Sequence, residues 1–217
     1  MLRDFALVIF DCDGVLVDSE RLTVGVEAEV LTELGWPMDA AEVVRRWMGT
    51  TSASQLAEIA AHLGEEAAAE FDRRTTTIIR TAFDTDLQAV EGVVELVDAL
   101  AALAIPTCVA SSGTPARMEL TLGATGLWDR FEGRIFSAVE VEHGKPAPDL
   151  FLLAADRMGI APARCAVVED SVHGVRAGVA AGMTVFGYAG GLTPESELVD
   201  AGAEPFGHMR ELLNGGR

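Results

Sequence analysis

Basic residues are scarce in this chain: 16 Lys and Arg stand against 34 Asp and Glu, giving a formal net charge of −18 and a pI near 4.4. There is no Lys/Arg-rich run. This argues against a surface for nucleic acid or for an anionic membrane, because affinity for phosphate backbones rests on clustered cations. Cysteine is also scarce. Cys12, Cys108 and Cys165 are odd in number and lack short spacings, so neither a disulfide scaffold nor a thiolate zinc site is indicated. Reduced thiols in the cytoplasm are expected, and all three read as small core residues in or beside strands. No run approaches the ~20 apolar residues of a membrane span. The N-terminus carries Asp4 and then a strand pattern, where a signal peptide needs a basic region and a longer apolar run. What is abundant is apolar content, 49% of 217 residues, enough for a globular core and too much for a disordered chain. The length suits one large domain or a domain with a smaller insert. The expected partner is a small molecule, and the expected state is a monomer or weak homo-oligomer. An anionic metabolite fits if a metal ion or a few local cations reverse the field in one pocket.

Short apolar runs end in small or acidic residues at Ala6 to Phe10, Thr107 to Ala110, Arg134 to Ser137 and Cys165 to Val168, with a weaker one from Thr184 to Phe186. Their continuity suits parallel strands covered on both faces. Helical patterns alternate with them at Val93 to Leu103, Ala116 to Thr125, Leu150 to Met158 and Val172 to Ala181. The alternation is that of a doubly wound α/β domain. Strand signal is missing from Asp18 to Leu87. That stretch reads as helices over Glu20 to Leu34, Ala40 to Met48, Ser54 to Leu63 and Glu65 to Phe83, broken at Gly35, Pro37, Gly49 and Gly64. The expected organisation is a core domain over 1–17 and 88–217 with a helical cap domain over 18–87. The cap leaves from the carboxyl end of a strand, where ligands bind in open α/β sheets. There is no internal repeat, and the tail after Pro205 carries no clear signal.

Asp11-Cys12-Asp13-Gly14 follows the first strand, and its spacing puts two carboxylates on one side of the departing chain. They read as nucleophile plus acid/base, or as solvated turn residues. Glu169-Asp170-Ser171 ends another strand, so four carboxylates meet if those strands are neighbours. Clustered carboxylates repel unless a cation compensates them. Hard oxygen ligands without nearby His or Cys suggest Mg²⁺; a helix N-cap at Asp170 or Ser171 is compatible with it. Ser111-Ser112-Gly113-Thr114-Pro115 ends a strand and opens a helix, which makes an anion cradle or an ordinary capping turn. Lys145, in Gly-Lys-Pro-Ala-Pro, is a surface charge or a neutraliser of a phosphoryl group.

Together these segments resemble the haloacid dehalogenase superfamily, in its branch of Mg²⁺-dependent phosphatases and β-phosphoglucomutases. The resemblance runs through Phe10 to Glu20 (FDCDGVLVDSE), Val109 to Ser112, Gly144 to Asp149 (GKPAPD) and Val167 to Ala177 (VVEDSVHGVRA), in order. It implies a Rossmann-like α/β core with an inserted α-helical cap. It also implies a Mg-dependent phosphatase acting on a small phosphorylated metabolite, a sugar phosphate or sugar acid phosphate, through an aspartyl phosphate. Asp11 would be the nucleophile and Asp13 the acid/base. Ser111, Ser112 and Lys145 would bind phosphate. Asp11, the Asp13 carbonyl and Asp170 would hold the metal, with Glu169 nearby or acting through water.

Candidate cap contacts are Ser19, Glu20, Thr23, Arg45, Arg46 and Gly49. Mutase relatives carry a histidine and basic residues where this chain has Thr23, Met48 and Ser52, which weakens a phosphosugar mutase reading. Val15 replaces the threonine of many phosphoglycolate phosphatases. The aspartate at position 13 disfavours metal-free dehalogenation. A phospho-accepting signalling module is a further alternative, disfavoured by the insert and by the Asp11, Asp13 spacing. His143 and His173 flank the third and fourth segments and read as solvated or locally bonded loop residues.

Overall fold

The computed structural model describes residues 1–213; the expected core range reaches 217, and its last four residues lie outside the described ones. In chain order the elements begin with β1 (Leu7–Phe10), α1 (Glu20–Glu33), α2 (Ala40–Trp47), α3 (Ser52–Leu63), α4 (Glu65–Asp86) and α5 (Val93–Ala102). They continue with β2 (Thr107–Ser111), α6 (Pro115–Ala124), α7 (Trp128–Phe131), β3 (Ile135–Ser137) and α8 (Asp149–Arg157). The last are β4 (Cys165–Glu169), α9 (Val172–Ala180), β5 (Thr184–Tyr188), α10 (Glu195–Ala201) and β6 (Glu204–Phe206).

The six strands form one parallel sheet in the order β3-β2-β1-β4-β5-β6. From β1 the strand order runs outward in both directions, through β2 to β3 on one side and through β4 to β6 on the other. Such a switch point opens a crevice outside the carboxyl ends of the strands. Side-chain alternation along β1 feeds two cores. Val8 and Phe10 pack with Leu96, Leu100, Met118 and Phe131, while Leu7 and Ile9 pack with Leu150, Phe151, Val167 and Val175. Helices cover both faces, which is why the central strands are apolar without interruption.

Helices α1 to α4 have their own core around Val24, Leu31, Trp47, Ile59 and Phe71. Side chains of Asp39 and Thr51 cap α2 and α3 by accepting from Glu42 N–H at 2.8 Å and Ser54 N–H at 3.1 Å. The chain enters and leaves this insert through two paired segments: Asp18 N–H donates to Gln88 O at 2.9 Å, and Val90 N–H to Leu16 O at 3.0 Å. Among the described residues no helix is long and apolar enough to cross a membrane. The three cysteines are free and buried.

Candidate active site

β1 and β4 pair with Phe10 opposite Val168, and Asp11 N–H donates to Val168 O at 3.0 Å. Asp11 and Glu169 thus leave adjacent strands at one level. Their carboxylates share Lys145, whose Nζ donates to Asp11 Oδ1 at 2.5 Å, to Glu169 Oε1 at 2.6 Å and to Ala110 O at 3.2 Å. Lys145 is the chain's only lysine, and its side chain is fully buried. Burial opposes its charge, but the Asp11 and Glu169 carboxylates outweigh burial and hold it protonated above the ordinary lysine range. Burial pushes Asp11 up to about 7 against the pull of Lys145, and the Glu169 charge adds to the rise.

The carboxylate of Glu169 is saturated: Lys145, the N–H groups of Asp170 and Ser171, and the Ser171 hydroxyl all donate to it. Ser171 is also the N-cap of α9, accepting from Gly174 N–H at 3.0 Å. Asp170 is different, being buried with no hydrogen-bond partner for Oδ2. Burial, with Glu169 and Asp11 close by, raises Asp170 well above the carboxylate range. One oxygen from each of Asp11, Glu169 and Asp170 lies within 4.8 Å of the others. Three buried acids against one lysine, with an orphaned oxygen and only oxygen donors, make a set that suits a hard divalent cation.

Gly14 allows this packing. It has φ +78°, and a Cβ there would lie 1.9 Å from Asp170 Oδ2. Gly14→Ala is therefore expected to cost about 2 kcal/mol or more, from the left-handed backbone and displacement of Asp170. Urea unfolding checks this, and a change within about 0.5 kcal/mol would show that the turn relaxes freely.

Asp13 lines the same cavity as Asp11 but is not part of this three-acid cluster. It accepts from Ser19 Oγ at 2.5 Å and from Arg117 Nη2 at 2.9 Å, while Cys12 turns into the core beside Thr121. Burial would raise Asp13, but Arg117 and then the Ser19 hydroxyl outweigh it and hold the carboxyl below its ordinary value. Ser111 is buried and accepts from Gly113 N–H at 3.0 Å; Thr114 is the N-cap of α6. Ser112 Oγ donates to Gly49 O at 2.8 Å, a direct link from the β2 end to the helical insert.

A cavity of about 90 Å³ lies between insert and sheet, lined by Asp11, Asp13, Ser111, Ser112 and Arg117 below and by Glu20, Thr23, Glu27, Trp47, Gly49 and Gln55, among others, above. Met48 and Ser52 are on the same wall. Of the candidate insert contacts, Ser19, Glu20, Thr23 and Gly49 meet this site. Arg45 and Arg46 do not: Arg46 pairs with Glu42 and Glu58, and Arg45 with Glu42. His143 is exposed beside Asp149, and neither it nor His173 lines the cavity. Sequence reasoning missed Arg117, Glu27 and Gln55. Arg117 left a signal, since a side chain three residues after the Thr114 cap tilts back toward the helix N-terminus and the crevice. Glu27 and Gln55 left none, being 28 residues apart and brought together only because α1 and α3 both pack against α4.

A parallel sheet with acids at its switch point and a helical insert over them is a doubly wound, Rossmann-like α/β architecture, and the sequence matches haloacid dehalogenase-like hydrolases over residues 5–182. The chain belongs to that family of hydrolases. Within it the chain stands with phosphoric monoester hydrolases: it is 31% identical over 207 residues to 6-phosphogluconate phosphatase of Escherichia coli, covering 94% of this chain and 91% of that one. A fructose-1-phosphate phosphatase of the same organism is 33% identical over 190 residues, covering 84% and 96%. Among solved structures, a haloacid dehalogenase family hydrolase from Deinococcus radiodurans with bound phosphate and sodium superposes with a TM-score of 0.75 at 34% identity, covering 97% and 94%.

Proposed function

We propose that the protein is a Mg²⁺-dependent phosphatase that hydrolyses the monophosphate of a small sugar or sugar acid through an aspartyl phosphate on Asp11. The observation that carries this reading is Asp11 itself, a buried carboxylate at the end of β1 that shares the chain's single lysine with Glu169. A carboxylate is an effective covalent nucleophile, and phosphoryl transfer is catalysed chiefly by positioning and charge neutralisation.

In the first step an Asp11 oxygen bonds to phosphorus as the ester P–O bond breaks, and Asp13, taking up a proton as the substrate's negative charge enters beside it, gives that proton to the leaving oxygen. In the second, ionised Asp13 takes a proton from water as the water oxygen attacks phosphorus, releasing inorganic phosphate and Asp11. Arg117 favours the ionised form needed in that second step. Lys145, Ser111 and the Ser112 N–H hold the phosphoryl oxygens.

Asp11, Asp170 and the Asp13 carbonyl would hold Mg²⁺, with Glu169 in support. When bound, the ion neutralises charge on the phosphoryl group. Residues 18–87 act as a cap on a core formed by 1–17 and 88–217, excluding water when closed. Three buried free thiols suit the reducing cytoplasm.

The test is phosphate release from a panel of sugar and sugar acid phosphates, with Mg²⁺ and with a chelator. Turnover is expected only with metal. Mg²⁺ is also expected to raise the melting temperature by binding the folded state, and Asp170→Asn to abolish that rise. Turnover unaffected by chelation would exclude the metal.

A further inference from the structure

The cavity wall is lopsided in charge. Arg117 is the only cation among its lining residues, and its contacts at 2.9 and 3.5 Å both go to Asp13. Lys145 is likewise committed to Asp11 and Glu169. The helical insert contributes Glu20 and Glu27 from α1 and Gln55 from α3. Gln55 Nε2 donates to Glu27 Oε2 at 3.2 Å, and Thr23 Oγ1 lies 3.3 Å from Glu20 Oε2. Trp47 spends its indole N–H on Glu58 at 2.7 Å, so it offers the cavity carbon surface.

We propose, resting on the phosphatase reading, that Glu20 and Glu27 make this wall a filter for the leaving group. It accepts the monophosphate of an uncharged polyhydroxyl, a neutral sugar or polyol, and rejects a substrate carrying a second anionic group, such as a sugar acid phosphate or a bisphosphate.

The physical reason is one of unanswered charge. A second carboxylate or phosphate entering this partly buried space meets the Glu27 carboxylate, the Glu20 carboxyl and no free cation, and an anion left unanswered beside a like charge away from bulk water is costly. Hydroxyl groups meet partners whatever the proton content of the wall, since a carboxylate accepts and a carboxylic acid also donates. Burial, with the nearby Asp13 charge, pushes Glu20 up to about 8, and burial pushes Glu27 up to about 6. Near neutrality the wall therefore carries both a donor and an acceptor. Mixed carbon surface and directional polar groups are what a compact polyol needs from a pocket. Similarity alone does not choose, because one Escherichia coli relative is named for a sugar acid phosphate and another for a neutral sugar phosphate.

The test compares kcat/KM for a neutral hexose 6-phosphate, the aldonate 6-phosphate of the same carbon skeleton and the hexose 1,6-bisphosphate, with p-nitrophenyl phosphate as a minimal substrate. The neutral monophosphate is expected to lead by about tenfold or more. Glu27→Lys is expected to narrow its lead over the aldonate by about tenfold, and the isosteric Glu27→Gln by about threefold should the lysine variant fail to fold. A wild-type preference for the aldonate or the bisphosphate would overturn the filter and leave the phosphatase reading standing. An unchanged ratio in a folded Glu27 variant would also overturn it. No release from any of the four compounds would overturn the phosphatase reading and the filter with it.

Discussion

Asp11→Asn is expected to lower Mg²⁺-supported phosphate release by about 10⁴-fold or more, because removing a covalent nucleophile removes the step that other site groups only assist. The fold is expected to survive. Asn fills the same space, keeps an oxygen for Lys145 to donate to and removes one member of a crowded set of acids. Burial already pushes Asp11 up to about 7, so ionising it costs the folded state free energy. The sign follows from proton binding. A carboxyl whose folded value lies above its unfolded one binds more protons when folded, so its ionisation erodes stability as pH rises between the two values. In metal-free buffer near pH 8 the Asn variant is therefore expected to match or exceed the wild type in urea unfolding. Residual turnover within about tenfold of wild type would move the nucleophile elsewhere.

Lys145→Met is expected to be the most destabilising single change at the site. Its ammonium is fully buried between Asp11 and Glu169, and breaking such a group by removing one partner leaves the others as uncompensated buried charge, typically about 3–5 kcal/mol. The Met side chain keeps the packing against Phe151, over whose ring Nζ lies at 5.0 Å, so the loss reports charge more than volume. Without the lysine, Asp11 rises further. The deficit is then expected to be larger near pH 8 than near pH 5, where the carboxyls take up protons. Chelator is needed in the buffer, since a bound divalent cation would replace part of the missing charge. A pH-independent loss below about 1 kcal/mol would mean that water reaches these acids and that Lys145 is dispensable to the fold. Phosphate release is expected to fall with stability, as the same ammonium is assigned to the phosphoryl oxygens.

Unbroken apolar runs at β1, β2 and β4 were legible because strands buried on both faces carry no alternation to confuse with a helix or an exposed hairpin. The helical character of 18–87 was legible from composition and glycine breaks, with boundaries shifted by two or three residues at α3 and α4. Less was legible near the end of the chain. β6 is three residues long with two of them exposed, and α10 buries only Leu198, so neither carries a periodic signal.

By itself, then, the sequence determined the alternation of strands and helices, the placing of acidic pairs at strand ends and the family to which those segments belong, because these depend on residues close together in the chain. Tertiary structure alone decided that the single lysine is buried between Asp11 and Glu169, that Glu169 is saturated by four donors while Asp170 Oδ2 has none, and that Glu27 meets Gln55 over the same cavity as Arg117. Apart from the donors that Glu169 finds in Asp170 and Ser171 beside it, those relations join residues from 24 to well over 100 positions apart, and they are set by strand order and helix packing, which no local pattern encodes.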